Sequence, residues 1–220
     1  MDQKLFFLIN REWSSPTLDP FMATLSSFDF WIPILLALIV CVAIFGGFRA
    51  RAMILTIGLT VALTDGVVVD FLKHAVNRPR PMQVLAARVV TLKKIKPRLL
   101  GVLHPPVVKT SHPKLGTIEG RSFPSGHVSN NFAVAMVLAA FYRRRGWLYF
   151  FVAAAIGYSR IYVAAHWPSD VLVSIFLGCG MGLLCLALAE ALWRRWGGLA
   201  APDLRRRHPT LLQPATEIPS

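Results

Sequence analysis

The chain has 220 residues, of which 55% are hydrophobic, and its mean hydropathy is +0.52. This composition excludes an ordinary soluble globular protein and favours a protein of the lipid bilayer. Lysine and arginine number 24 against 11 aspartate and glutamate residues, so the net charge of +13 suits nucleic acid, an anionic membrane surface or a phosphorylated substrate. The three cysteines lie in apolar runs without the spacing of metal ligands.

Five apolar stretches are long enough to cross a bilayer, which takes roughly 20 residues. They cover residues 31–48, 52–71, 126–142, 147–163 and 171–193. Charges and prolines interrupt residues 4–27, which we therefore expect to lie along the membrane interface, with a sixth span there as the alternative. The predicted fold is all-α: a multi-pass transmembrane helical bundle of five to six spans, forming a single domain over residues 1–198.

Arginine clusters follow the first, third and fifth stretches, and such clusters favour the cytoplasmic side. The connections at 72–125 and 164–170 then open on the extracytoplasmic side. The loop at 82–121 is strongly basic, either because it binds an anionic partner or because it rests, solvated, on lipid phosphates. We expect residues 199–220 to form a mobile cytoplasmic tail.

The first candidate site block, Lys73 to Pro81, ends the second stretch. The compact charge of Lys73 and the planar fork of Arg80 suit phosphate oxygens, although basic residues at a span end often only anchor it. Arg78 either assists headgroup binding or points to lipid phosphate or water. Asp70 is spaced to pair with Lys73 and to position it.

The second block, Phe123-Pro-Ser-Gly-His127, opens the third stretch. A helix N-terminus offers unpaired N–H groups to an anion, and Gly126 permits close approach of the backbone. Ser125 can add a hydroxyl hydrogen bond, and His127 can deliver a proton to a leaving oxygen. A capped helix with a surface histidine would give the same pattern.

The third block begins at Ser159-Arg160 and continues to His166 and Asp170, just before and inside the first turn of the fifth stretch. We expect the Asp170 carboxylate to accept a hydrogen bond from the His166 Nδ1–H group, which would leave Nε2 as a nucleophile. Asp170 can also cap the helix, a role compatible with the first.

Together the blocks read Lys-x6-Arg-Pro, Pro-Ser-Gly-His and Ser-Arg-x5-His-x3-Asp, and every fixed position resembles the three-part signature of the type 2 phosphatidic acid phosphatase family. The resemblance implies that His166 is the nucleophile, with Asp170 as its partner and His127 as the general acid. It further implies that phosphate is bound by five residues: Lys73, Arg80, Ser125, Gly126 and Arg160. It implies no metal and no cofactor.

Soluble acid phosphatases and vanadium haloperoxidases share this signature, but the apolar spans argue against both. We predict a lipid phosphatase of a bacterial inner membrane, whose partners are the bilayer and a lipid phosphate rather than nucleic acid. Undecaprenyl pyrophosphate is the first choice of substrate, with phosphatidylglycerophosphate, phosphatidic acid and lipid A as alternatives. A lipid-phosphate binding or carrier protein without turnover is the alternative of another class.

Overall fold

The computed structural model describes residues 1–113 and 121–212 and is mostly helical. Its helices are α1 (Asp2–Phe7), α2 (Leu18–Ser26), α3 (Phe28–Phe45), α4 (Phe48–Leu63), α5 (Asp70–Val76), α6 (Pro81–Val84), α7 (Gly126–Gly146), α8 (Tyr149–Tyr162), α9 (Pro168–Ala200) and α10 (Pro202–Arg207). Strands β1 (Arg88–Thr91) and β2 (Val107–Thr110) lie between α6 and α7. Two π-helical turns, Leu8–Glu12 and Thr64–Val69, and a 3-10 turn, Arg98–Leu103, complete the described elements.

Three helical segments are long and apolar enough to cross a membrane: Phe28–Phe45, Phe48–Val84 and Pro168–Ala200. The second and fifth predicted spans lie within the last two of these segments, whereas the first predicted span, 31–48, extends three residues beyond Phe45. The third and fourth predicted spans are also helical, as α7 and α8. However, α8 has 14 residues, which at about 1.5 Å per residue gives roughly 21 Å, shorter than the hydrocarbon core. The number of spans, five to six, stays a prediction.

Helices α7 and α9 approach each other closely through small residues. A Cβ atom at Gly178 would lie 2.3 Å from the Ser129 carbonyl oxygen, and one at Gly182 would lie 2.7 Å from the Met136 Cβ atom. Spacing of four residues puts the two glycines on one helix face, a pattern that brings helix backbones together in membranes. This contact holds α7 and α9 in parallel, so that both helices begin at the same end of the bundle, where the second and third signature blocks lie.

The N-terminal segment, expected along the membrane interface, packs onto one end of the bundle. Helices α1 and α2 have six and nine residues, whereas a spanning helix takes roughly 20. The Phe6 side chain is fully buried, and its ring lies 5.7 Å from that of Trp167. We call this end of the bundle the signature end, because the three sequence blocks meet there.

The expectation of an all-α fold is wrong within the loop at 82–121. Strands β1 and β2 form an antiparallel hairpin in which Arg88 pairs with Thr110 and Thr91 with Val107. The buried side chain of Asn10 extends the pairing: its Nδ2 donates to the Arg88 carbonyl (2.7 Å), and its Oδ1 accepts from the Arg88 N–H (3.0 Å). The hairpin is thereby tied to the N-terminal segment. Residues 114–120 of this loop lie outside the described structure.

The C-terminal segment is also more ordered than the sequence suggested. Residues 199–212, expected to be mobile, include α10, and the Leu211 side chain is 6% exposed. Glu190 accepts a hydrogen bond from the Leu211 N–H (2.8 Å), and Trp193 donates to the His208 carbonyl (2.8 Å). The rest of the predicted tail, residues 213–220, lies outside the described residues.

Candidate active site

The first block brings Arg80 to the signature end through a change of chain direction. Helix α5, which carries Lys73, ends at Asn77 in the left-handed conformation (φ 45°), which asparagine tolerates better than most residues. The chain then extends to Arg80, which caps α6. Arg80 and Lys73 both act electrostatically on His127, so the first and second blocks lie together as predicted.

The second block starts α7. Ser125 is its N-cap residue, and the Ser125 N–H donates to the Ser174 hydroxyl on α9 (2.8 Å). A Cβ atom at Gly126 would lie 2.6 Å from Oδ1 of Asp65, which the π-helical turn places beside the start of α7. A carboxylate at a helix N-terminus is favourable. Glycine is therefore needed here for packing against Asp65, whatever it contributes to phosphate binding.

The third block joins α8 to α9. Arg160, in the last turn of α8, donates to the Ser26 carbonyl (3.0 Å) and to the Ser26 hydroxyl. His166, only 3% exposed, lies in the tight connection before Pro168. In that connection Ala164 adopts a left-handed conformation (φ 62°), which costs a non-glycine residue roughly 1–2 kcal/mol and is typical of functional sites.

The predicted hydrogen bond between Asp170 and His166 is wrong, because Ser122 stands between them. The Nδ1 atom of His166 lies 2.6 Å from the Ser122 carbonyl oxygen, and the Ser122 hydroxyl donates to Asp170 Oδ2 (2.5 Å). A carbonyl only accepts, so Nδ1 carries the proton and Nε2 of the neutral ring carries the lone pair. The tautomer expected for a nucleophile is kept, but Asp170 acts on it through Ser122.

Asp170 does cap α9, as expected, and it is fully buried. Its Oδ2 accepts from the Trp167 N–H (3.1 Å), and its Oδ1 lies 2.6 Å from the Arg78 guanidinium. The other guanidinium nitrogen of Arg78 lies 2.6 Å from Asp2 in α1. Arg78 therefore joins two carboxylates, which contradicts the expectation that it binds a headgroup or points to lipid phosphate or water.

Asp2 completes this charge network from the beginning of the chain. Its carboxylate accepts hydrogen bonds from the Ser169 N–H (2.9 Å) and the Ser169 hydroxyl (2.6 Å), in the first turn of α9. Burial raises the pKa of Asp2, but the hydrogen bonds from Ser169 and Arg78 outweigh it and hold the pKa below its ordinary value. Asp2 is therefore ionised at neutral pH and clamps α1 to α9.

The expected pair between Asp70 and Lys73 is not formed. The Asp70 carboxylate lies instead 3.5 Å from Nδ1 of His74, one helical turn further on. Spacing of four residues brings side chains together on a helix more directly than the spacing of three that Lys73 offers here. Both Asp70 and His74 are exposed, so we assign Asp70 no part in the site.

Several polar atoms at the signature end are buried without a partner in the described structure. They include Nε of Arg80, Nε of Arg160, Oγ of Ser125 and Nε2 of His127. Buried polar groups are nearly always hydrogen-bonded, so a cluster of unpaired ones marks the place of a polar ligand. Since guanidinium and hydroxyl groups donate, the ligand that fits is rich in acceptor oxygens.

The electrostatic surroundings keep His166 neutral. Burial, and then the positive charges of Arg160 and Arg80, hold the pKa of His166 well below 6.5, although the hydrogen bond to Ser122 acts in the opposite direction. A neutral imidazole at neutral pH is the nucleophilic form. The same cations that would attract a phosphate therefore also keep His166 deprotonated.

A cavity of about 610 Å³ opens at the signature end. Arg80, His127 and Arg160 line it together with apolar side chains such as Phe28 and Val90. Its size is in the range of small-ligand pockets, and its mixed lining suits an anionic group attached to a hydrocarbon chain. Lys73, Ser125 and His166 are not part of this lining. Among the described residues no group of three His, Cys, Asp or Glu side chains could hold a metal ion.

Comparison with known families decides the family of this chain. The model of the PAP2 superfamily matches residues 49–194, which include all three blocks. The chain belongs to the PAP2 superfamily. The resemblance drawn from the signature is thus confirmed at the level of the family.

Individual relatives of this PAP2 chain differ in their names. It is 26% identical over 185 residues to the lipid A 4'-phosphatase of Bacteroides thetaiotaomicron, covering 82% of this chain and 74% of the relative. It is also 26% identical over 155 residues to the undecaprenyl-diphosphatase BcrC of Bacillus subtilis, covering 70% and 67%. The crystal structure of Aquifex aeolicus LpxE superposes with a TM-score of 0.59 at 28% identity, covering 84% of this chain and 94% of that one.

The sequence did not reveal three residues that support the PAP2 signature: Ser122, Asp2 and Ser26. Ser122 directly precedes the second block, but a single serine carries no periodic or motif signal. Asp2 and Ser26 belong to the N-terminal segment, whose contact with the signature end depends on tertiary packing. An acid such as Asp2 is common in the first turn of a helix, so its presence there does not indicate a part in the site.

Proposed function

We propose that this protein hydrolyses a phosphate or pyrophosphate group from a membrane lipid, without a metal, through a phosphohistidine at His166. The enzyme class is shown by the family and its named relatives: the chain is a phosphoric ester hydrolase. One observation carries the residue-level proposal. The buried, neutral His166 has its Nδ1 tied to the Ser122 carbonyl, which leaves Nε2 as the nucleophile beside a cluster of unpaired donors.

In the first step, Nε2 of His166 attacks phosphorus and the bond from phosphorus to the lipid oxygen breaks. His127 gives a proton to that oxygen, which leaves as a lipid alcohol or, from a pyrophosphate, as a lipid monophosphate. In the second step, water attacks the phosphohistidine while His127 takes a proton from it. Inorganic phosphate leaves, and both histidines return to their starting state.

Cationic groups stabilise the charge that spreads over the equatorial oxygens during both steps. Arg80 and Arg160 reach the cavity, Lys73 lies close enough to act on His127, and the N-terminus of α7 at Ser125 and Gly126 adds N–H groups. Arg160 is oriented from the side by Ser26. We propose that these groups stabilise the developing negative charge in place of a metal ion.

We place the reaction on the extracytoplasmic side of a bacterial inner membrane. The arginines at 143–145 lie in the last turn of α7, and those at 205–207 lie in α10, which follows α9, so both clusters are at the end opposite the signature end. Such clusters favour the cytoplasm. Undecaprenyl pyrophosphate remains our first choice of substrate, supported by the named activity of the Bacillus subtilis relative. A lipid A phosphate is the second candidate, supported by the Bacteroides thetaiotaomicron relative.

The test is phosphate release by detergent-purified protein in excess EDTA. The substrates are undecaprenyl pyrophosphate, lipid A, phosphatidylglycerophosphate and phosphatidic acid. We expect turnover that His166→Ala abolishes and that His104→Ala, a change of an exposed histidine away from the site, leaves intact. No release from any lipid, or equal release by His166→Ala, would contradict the mechanism and favour a lipid-phosphate binding protein.

A further inference from the structure

The cavity at the signature end has a second group of basic residues that the mechanism does not use. Besides Arg80 and Arg160, the segment that leaves β1 lines the cavity with Lys93, Lys94 and Lys96. The lining contains these five cations and one acidic residue, Asp29. A single reacting phosphate is already matched by Arg80 and Arg160, so this excess of positive charge calls for a second anionic group.

The basic residues of the hairpin do not all behave alike. Arg88 forms an ion pair with Asp19, whose Oδ1 lies 2.7 Å from it and also accepts from the Tyr162 hydroxyl (2.7 Å). Lys109 on β2 is exposed and does not line the cavity. The charges left facing the cavity are therefore those of Lys93, Lys94 and Lys96, none of which forms an ion pair in the described part of the chain.

The backbone that carries these lysines is supported from behind. A Cβ atom at Gly101, in the 3-10 turn, would lie 2.8 Å from the Lys93 carbonyl oxygen. The turn thus packs directly on the lysine segment at a distance that only glycine allows. Together with the pairing of Asn10 to β1, this contact holds the three lysines against the cavity rather than leaving them on a free loop.

We propose that Lys93, Lys94 and Lys96 form a second anion subsite, which binds the non-reacting phosphoryl group of a diphosphate headgroup while the terminal one meets His166. The inference rests on the proposed function and deepens it, because it selects diphosphate lipids over monophosphates. Lysine ammonium groups suit this task, since they act as mobile point charges and do not require one fixed geometry of the anion. Apolar side chains in the same lining, Val89, Leu92 and Ile95, receive the start of the lipid chain.

The experiment compares a polyprenyl diphosphate with the polyprenyl monophosphate of the same chain length. The variants are the combined Lys93→Gln, Lys94→Gln and Lys96→Gln change, the three corresponding Lys→Arg changes, and Lys109→Gln as a control on the same hairpin. Because exposed charge pairs contribute modestly, we expect the Gln variant to lose about tenfold in kcat/KM on the diphosphate, mostly through KM, and less than about twofold on the monophosphate. The Arg variant and Lys109→Gln should stay near wild type.

An equal loss on both substrates would overturn the subsite and point to general attraction of anions, and no loss on either would overturn it as well. If the combined variant does not fold, the single Gln variants, each expected to lose about twofold on the diphosphate alone, decide in its place. Wild-type turnover of other lipid phosphates but not of the diphosphate would reject the subsite and leave the proposed function standing. Absence of turnover on every lipid would instead reject the proposed function.

Discussion

Replacement of Arg78 tests the charge network behind His166, the proposed nucleophile. Arg78→Gln removes the cation that joins the fully buried Asp170 to Asp2. Loss of one partner of a fully buried ion pair costs about 3–5 kcal/mol. Because the Arg78 side chain is 32% exposed, and Asp170 keeps its hydrogen bonds from Ser122 and Trp167, we expect a loss of about 2 kcal/mol in the free energy of unfolding.

For a chain of this size, about 1 kcal/mol shifts the melting temperature by roughly 2–4 °C, so Arg78→Gln should melt roughly 4–8 °C below wild type. Thermal unfolding in detergent, followed by tryptophan fluorescence, measures this shift. Phosphate release should fall in parallel, since Asp170 holds the serine whose carbonyl orients His166. The double-mutant cycle with Asp2→Asn should show a coupling energy of about 0.5 kcal/mol or more, because both residues belong to one network.

Arg194→Gln is the matched control. Arg194 forms an ion pair with Glu190 on α9, but its side chain is 62% exposed, so its loss should cost no more than about 0.5 kcal/mol. If Arg78→Gln has the same melting temperature as Arg194→Gln and keeps full activity, Asp170 is stabilised by its other hydrogen bonds alone. The reasoning about Arg78 is then refuted.

Three further predictions concern the same end of the bundle. Ser122→Ala should lower kcat and reduce the free energy of unfolding by about 2 kcal/mol, the contribution of a hydrogen bond to a charged group. The control Ser129→Ala, which removes a buried hydroxyl without a partner in the described structure, should be neutral in melting and phosphate-release assays. Equal behaviour of the two variants would contradict the link from Asp170 to His166 through Ser122. Because the pKa of folded His166 is depressed, its contribution to stability is complete above pH 6.5 and declines as the pH falls below that value. The melting temperature of wild type should therefore fall more on acidification than that of His166→Gln. Parallel curves of melting temperature against pH would count against a neutral buried ring. Gly126→Ala would place a methyl group against Asp65. It should therefore reduce kcat/KM by roughly 10- to 100-fold, because the N–H groups proposed to bind phosphate are displaced. If this contact is the cause, the added change Asp65→Gly should restore part of the loss.

The sequence was most informative where chemistry depends on fixed spacing. The three blocks meet at one end of the bundle because each lies at a helix terminus, and helix termini can be read from proline, glycine and the ends of apolar runs. The partner of His166 could not be read in this way. Spacing of four residues placed Asp170 near the ring, but the intervening group, Ser122, lies 48 residues from Asp170 along the chain, and no local pattern links them.

The hairpin has only a weak signal in the sequence. The loop at 82–121 contains two pairs of β-branched residues, at 89–90 and 107–108, which are typical of strands, but lysines and arginines dominate the loop as a whole. The order in the C-terminal segment was not visible at all. It depends on contacts of Leu211 and His208 with α9, and a short arginine-rich sequence gives no sign of such contacts.

The clamp between Asp2 and Ser169 has a consequence for biosynthesis and for protein production. The two residues are 167 positions apart, so a nascent chain that does not yet include the start of α9 cannot form the clamp. Catalytic competence is therefore expected only once the last long helix has been synthesised. For the same reason an affinity tag fused before Met1 would lie next to the support of the nucleophile.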